Sequence, residues 1–100
     1  MSATPTLQQI IKALKQQLPF LAEMYHVESL GIFGSYVRNE QGPDSDLDIL
    51  VTFSETPGLL KFIELEHYLS DKLGVKTDLV MQDSLKPRIG ERILKEVVSV

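Results

Sequence analysis

The sequence predicts an α/β (α+β) domain, a small mixed sheet of about three strands with flanking helices. Two long segments carry apolar residues at helical spacing, and three short apolar runs, 27–33, 46–53 and 75–80, lie between turn formers. The link between the first two runs is too brief for a parallel crossover helix of a dozen or more residues. Strand directions must therefore be mixed.

Taken in order, the chain opens with Thr4-Pro5, a cap followed by a proline suited to a first helical turn. Leu7, Ile10, Ile11, Leu14 and Leu18 then recur at helical spacing, so an amphipathic helix is expected over 4–25. Pro19 should kink or end it, because proline has no N–H to give the preceding turn, with Phe20, Leu21, Met24 and Tyr25 continuing as a further helical turn or two. Val27 to Phe33 reads as a strand, Ser35 to Glu40 as a return to helical backbone, and Gln41-Gly42-Pro43-Asp44 as a turn. Asp46 to Phe53 is the second strand. After the loop 54–58, Leu59, Phe62, Leu65, Leu69 and Leu73 line one side of a helix that stops at Gly74. Val75 to Val80 is the third strand and Met81 to Lys86 a loop. Pro87 begins a last helix carrying Ile89, Ile93, Leu94 and Val97, and the apolar tail 97–100 should dock.

The 100 residues suffice for a single domain over 1–100, with no room for a separate substrate domain. A formal net charge of −4 argues against a direct nucleic-acid binder, which needs a basic face to offset phosphate charge. With no cysteine, there is neither a disulfide framework nor a thiolate metal site. No run approaches the ~20 apolar residues that span a bilayer, and the N-terminus lacks the pattern of a signal peptide, so no membrane role and a cytoplasmic location are expected.

The chemistry concentrates between Gly31 and Phe53. Alternate strand residues share a face, so Asp46 and Asp48 point the same way, roughly 6 to 7 Å apart along the backbone. Leu47, Ile49, Val51 and Phe53 take the core face. If the third strand lies beside the second, Asp78 joins the pair. Three converging acids are costly without a cation, and hard oxygen donors of this kind suit Mg²⁺ completed by water and phosphate oxygens. Gly34-Ser35, at the end of the preceding strand, lets a phosphate approach the backbone amides and the hydroxyl. A nucleoside triphosphate with a pair of Mg²⁺ ions is the implied substrate complex.

Gly34-Ser35, ten intervening residues, then Asp46-Leu47-Asp48 resembles the signature of polymerase-beta-type nucleotidyltransferases, in particular their minimal branch. Tyr36, Arg38, Ser45 and the strand KTDLV carrying Asp78 extend the resemblance over nearly the whole chain. It implies that Asp46 and Asp48 hold metal, that Asp78 contributes to metal binding or to deprotonating the acceptor, and that Gly34 and Ser35 hold the terminal phosphates. Minimal members are similar to antitoxins that work with a HEPN-type ribonuclease toxin, transferring AMP from ATP to a toxin tyrosine. That resemblance supplies the expected partner and the cofactor Mg²⁺. Val37 and Asn39 stand where many relatives carry Ala and Gly. Transfer to a small hydroxyl compound, and neutralisation of a partner by binding alone, are the competing functions.

Other residues have plainer readings beside the functional ones. Arg38 could neutralise triphosphate charge or form an ion pair supporting the acids. Asp44 reads as a loop cap, and His26 and His67 as surface or loop residues. Lys86, Arg88, Arg92 and Lys95 read as a solvated helix face that could instead reach a phosphate or an acidic partner. Tyr36 and the stretch 20–25 read as core packing, with a partner-facing surface as the alternative.

Overall fold

The computed structural model describes residues 5–100. Helix α1 (Leu7–Tyr25) leads into strand β1 (Val27–Phe33), which ends in a 3-10 turn (Gly34–Tyr36). Strand β2 (Leu47–Phe53), helix α2 (Leu59–Leu73) and strand β3 (Thr77–Met81) follow. A second 3-10 turn (Gln82–Ser84), helix α3 (Pro87–Glu96) and the short strand β4 (Val98–Ser99) complete the chain. The sheet has four strands in the order β3-β2-β1-β4, one more than the sequence suggested. The additional strand is the docked tail, which pairs antiparallel with Gly31 and Ile32 of β1. Gly31 permits this approach, because a Cβ there would collide with Val97.

Mixed directions are as expected. β1 and β2 run antiparallel, while β2 and β3, joined through α2, run parallel. Helices α1 and α2 cover one face of the sheet. Their Ile10, Leu14, Leu21, Leu65 and Leu69 pack with Ile32, Leu47, Ile49 and Val51 into a core that excludes water. The apolar alternation of β2 thus points as predicted, with Phe53 half-buried at its rim.

The start of α1 is set by Thr6, whose hydroxyl accepts from the Gln9 amide while the Gln9 side chain accepts from the Thr6 amide. This reciprocal cap satisfies two otherwise unpaired N–H groups. The predicted cap Thr4 lies outside the described residues. Pro19 does not end the helix. Leu21 and Tyr25 beyond it are buried, and fully burying such side chains yields about 1.5–3 kcal/mol each, enough to offset roughly 3 kcal/mol for the proline. The stretch 20–25 therefore divides, with Leu21 and Tyr25 in the core and Phe20 and Met24 exposed. Tyr36 is core, as expected.

β3 begins at Thr77 rather than Val75, and its outward amides are covered by α2. Thr77 donates to the Ser70 hydroxyl at 3.0 Å and Leu79 to the Glu66 carboxylate at 2.9 Å. Among the described residues, no helix is long and apolar enough to cross a membrane.

Candidate active site

The site forms on the sheet face opposite α1 and α2, at the end of β1 and the start of β2. Where β1 ends, Gly34 adopts φ +81°, a left-handed conformation that side chains other than glycine rarely take. A Cβ there would also overlap the Asp48 carboxylate. Backbone geometry and side-chain proximity both require glycine. The Gly34 carbonyl accepts from the amides of Val37 and Arg38, at 3.1 and 3.2 Å, which closes a tight turn with Ser35 half-buried on it. The predicted helix 35–40 is only this 3-10 turn, followed by a bend in which Asn39 is also left-handed.

The chain returns through a second turn. Ser45 closes it, its hydroxyl accepting from the Gly42 amide at 2.9 Å and its own amide donating to the Gly42 carbonyl at 3.1 Å. Ser45 takes the capping part assigned to Asp44, which is exposed. Asp46 stands just before β2, one residue short of its predicted place within it, and is exposed. Asp48 lies inside the strand between Phe33 of β1 and Asp78 of β3, its direct partner in the parallel pairing. The strand order on which the role of Asp78 depended is thus the observed one.

Two of the acids act on the third. Burial first, then the charges of Asp78 and Asp46, push the Asp48 carboxyl up to about 6, with Arg38 opposing the shift. Among the described residues, no three His, Cys, Asp or Glu side chains form a ready-made metal cage. Mg²⁺ does not need one: it commonly takes one or two carboxylates and fills its octahedron with water and substrate phosphate oxygens. Exposed hard-oxygen donors around a half-buried, strained carboxylate fit that ion.

Arg38 and a residue not singled out from the sequence complete the site. Glu96, at the end of α3, accepts from the Gly34 amide at 3.0 Å through Oε2 and from Arg38 Nη1 at 2.6 Å through Oε1. The Gly34 amide, with Arg38 beside it, holds the Glu96 carboxyl below its ordinary range. The Arg38 ion pair thus goes to Glu96, and more loosely to Glu40 at 3.6 Å, rather than to the three acids. Between this turn and α3 lies an open cleft of about 400 Å³. Arg92, one of the four cations near the C-terminus, lines it along with Ile89 and Ile93. His26, the left-handed cap of α1, faces Glu55, and His67 is exposed on α2.

The family model described as Nucleotidyltransferase domain matches residues 7–100. The chain belongs to the nucleotidyltransferase domain family. Protein adenylyltransferase MntA of Thermococcus cleftensis is 53% identical to it over 95 residues, covering 95% of this chain and 96% of that protein. Among solved structures, a minimal nucleotidyltransferase superposes with a TM-score of 0.83 at 32% identity, covering 99% of this chain and all of the other. A chain from a toxin-antitoxin crystal structure with AMP-PNP matches at TM-score 0.68 and 27% identity, over 90% of this chain and 68% of that one. As a nucleotidyltransferase domain, this chain is built on the fold that its Gly-Ser and Asp-Leu-Asp segments predicted.

Proposed function

We propose that this domain is a Mg²⁺-dependent protein adenylyltransferase that moves AMP from ATP to a hydroxyl and releases pyrophosphate. The acceptor we assign is a tyrosine of a cognate HEPN-type ribonuclease toxin, so that the chain acts as its antitoxin in the cytoplasm. The observation that carries this reading is the direct pairing of Asp48 with Asp78, beside a left-handed Gly34 turn. The name of the Thermococcus cleftensis relative and the AMP-PNP and antitoxin of the solved complex support the same chemistry.

Each residue then has a task. The Gly34 amide and Ser35 hydroxyl receive the terminal phosphates, and Arg38 offsets their charge. Asp46 and Asp48, with Asp78, would hold Mg²⁺, which when bound supplies neutralisation of phosphate charge and stabilisation of the departing pyrophosphate. Asp78, exposed at the outer strand, is the base assigned here to the acceptor hydroxyl. The acceptor hydroxyl is brought to this site by the toxin itself.

Intact mass of the toxin after incubation with this chain, Mg²⁺ and ATP tests the proposal. A gain in whole units of AMP, absent with Asp46→Asn, is expected. An unchanged mass in a stable complex would replace catalysis with inhibition by binding.

A further inference from the structure

The Gly34 amide and the Arg38 guanidinium, the two groups assigned to phosphate, both bind one carboxylate, that of Glu96. The Glu96 side chain is 24% exposed, so this contact is shielded more than an open surface pair. A carboxylate bridging a backbone N–H and a guanidinium reproduces the pattern in which such groups take a phosphate oxygen pair. Both cannot occupy the same donors at once, and their like charges repel.

Glu96 is held there by its neighbours in sequence. It ends α3, and Val98 and Ser99, directly beyond it, pair with β1. The Val100 amide, at the end of this tail, donates to the Leu30 carbonyl at 3.0 Å. The backbone is therefore fixed, and the carboxylate can leave only by side-chain rotation. A second cation is within reach: Arg92 stands one helical turn earlier on α3, lines the same cleft and already draws on the Glu96 charge.

We propose that Glu96 is a built-in phosphate stand-in that an incoming triphosphate must displace. On displacement, the Gly34 amide and Arg38 pass to the nucleotide, and Glu96 passes to Arg92. In the free chain the latch keeps the phosphate donors paired and oriented. In the bound chain, the energy of breaking it is subtracted from nucleotide affinity. Glu96 is thus a positioning residue whose removal strengthens binding while loosening the free fold. This rests on the assignment of Gly34 and Arg38 to phosphate.

The test is calorimetric titration of the full chain with a non-hydrolysable ATP analogue and Mg²⁺, alongside thermal melting without nucleotide. Glu96→Gln keeps the shape but removes the charge. It is expected to bind the analogue roughly five- to thirty-fold more tightly, the range set by losing one charge-assisted contact, and to melt at a lower temperature. Glu96→Asp, too short to bridge both donors, is expected to change both measurements in the same directions and serves if the first variant folds poorly. Binding that is unchanged or weaker in both variants, with the unaltered chain binding normally, would overturn the latch alone. If the unaltered chain and both variants bind no analogue, the nucleotide reading fails and the latch falls with it.

Discussion

The two faces of this sheet are organised on opposite terms. On the helix-covered face, Ile10, Leu14, Leu21, Ile49, Leu65 and Leu69 bury against one another, and no single residue defines the result. On the open face, Asp46, Asp48, Asp78, Arg38 and Glu96 are few and charged, and each answers to particular neighbours. One face gains stability as it closes, while the other holds repulsion that a cation or a proton must relieve. A fold this small keeps both because the sheet separates them by the thickness of a strand.

The largest effects should separate the faces by sign. Asp48→Asn removes a group that resists ionisation. We expect adenylyl transfer to fall on the order of 10³-fold, while urea unfolding of the metal-free chain shows it more stable by about 2 kcal/mol, allowing for partial exposure. Ile49→Ala, the next residue but on the opposite face, should instead cost about 2–5 kcal/mol through lost burial and a residual cavity. If both variants were destabilised alike, the contrast between the faces would be wrong.

A smaller effect should appear with pH. Asp48 ionises at about 6 in the fold against 3.8 ordinarily, so between these values the folded chain binds more protons than the unfolded one. Its contribution therefore falls as pH rises from about 4 to 7, and the metal-free chain should gain about 1 kcal/mol on going from pH 7 to pH 5, allowing for partial exposure. Glu64 and Glu96, held below their ordinary range, favour the fold at higher pH and lose that contribution only as pH falls below the usual carboxylate range. Thermal melting across this window checks the sign, and Mg²⁺ added at pH 7 should recover the lost stability by engaging the acids. A melting temperature that rises from pH 5 to 7 without metal would contradict the repulsion.

The smallest effect concerns Tyr36, at the boundary of the faces. Its hydroxyl is buried without a hydrogen-bond partner among the described residues, and burial pushes the phenol above its ordinary value. An unpaired buried hydroxyl costs about 1–3 kcal/mol, which removal can recover, so Tyr36→Phe should be neutral or stabilising by up to about 1 kcal/mol in urea unfolding. A loss would mean that the hydroxyl has a partner.

How far each face was legible in the sequence follows the range of the forces that build it. Leu65 and Leu69 revealed their buried side by local periodicity, and Gly74 marked the end of α2 by its left-handed backbone. Asp46, Asp48 and Gly34 were legible because alternation and a strand end are also local. The place of Asp78 needed the strand order, which the chain confirmed only once folded. Glu96 gave no signal, since a glutamate on an amphipathic helix looks like any solvated residue until the Gly34 amide, 62 positions away, is brought to it. The tail strand was hidden for the same reason, its pairing resting on the space left at Gly31. At Pro19 the helix continues through 20–25 as expected, because burial beyond it outweighs the lost backbone bond.

The covering of β3 by Ser70 and Glu66 bears on how this molecule can meet others. An uncovered edge strand is a template on which foreign strands add, the first step toward fibrils and misassembly. Here the Thr77 and Leu79 amides, on either side of Asp78, are already engaged by helix side chains. A visiting chain must approach Asp78 by offering a side chain to it, not by lengthening the sheet. The rim thus admits a protruding residue while refusing a backbone, a filter suited to the protein acceptor proposed for it.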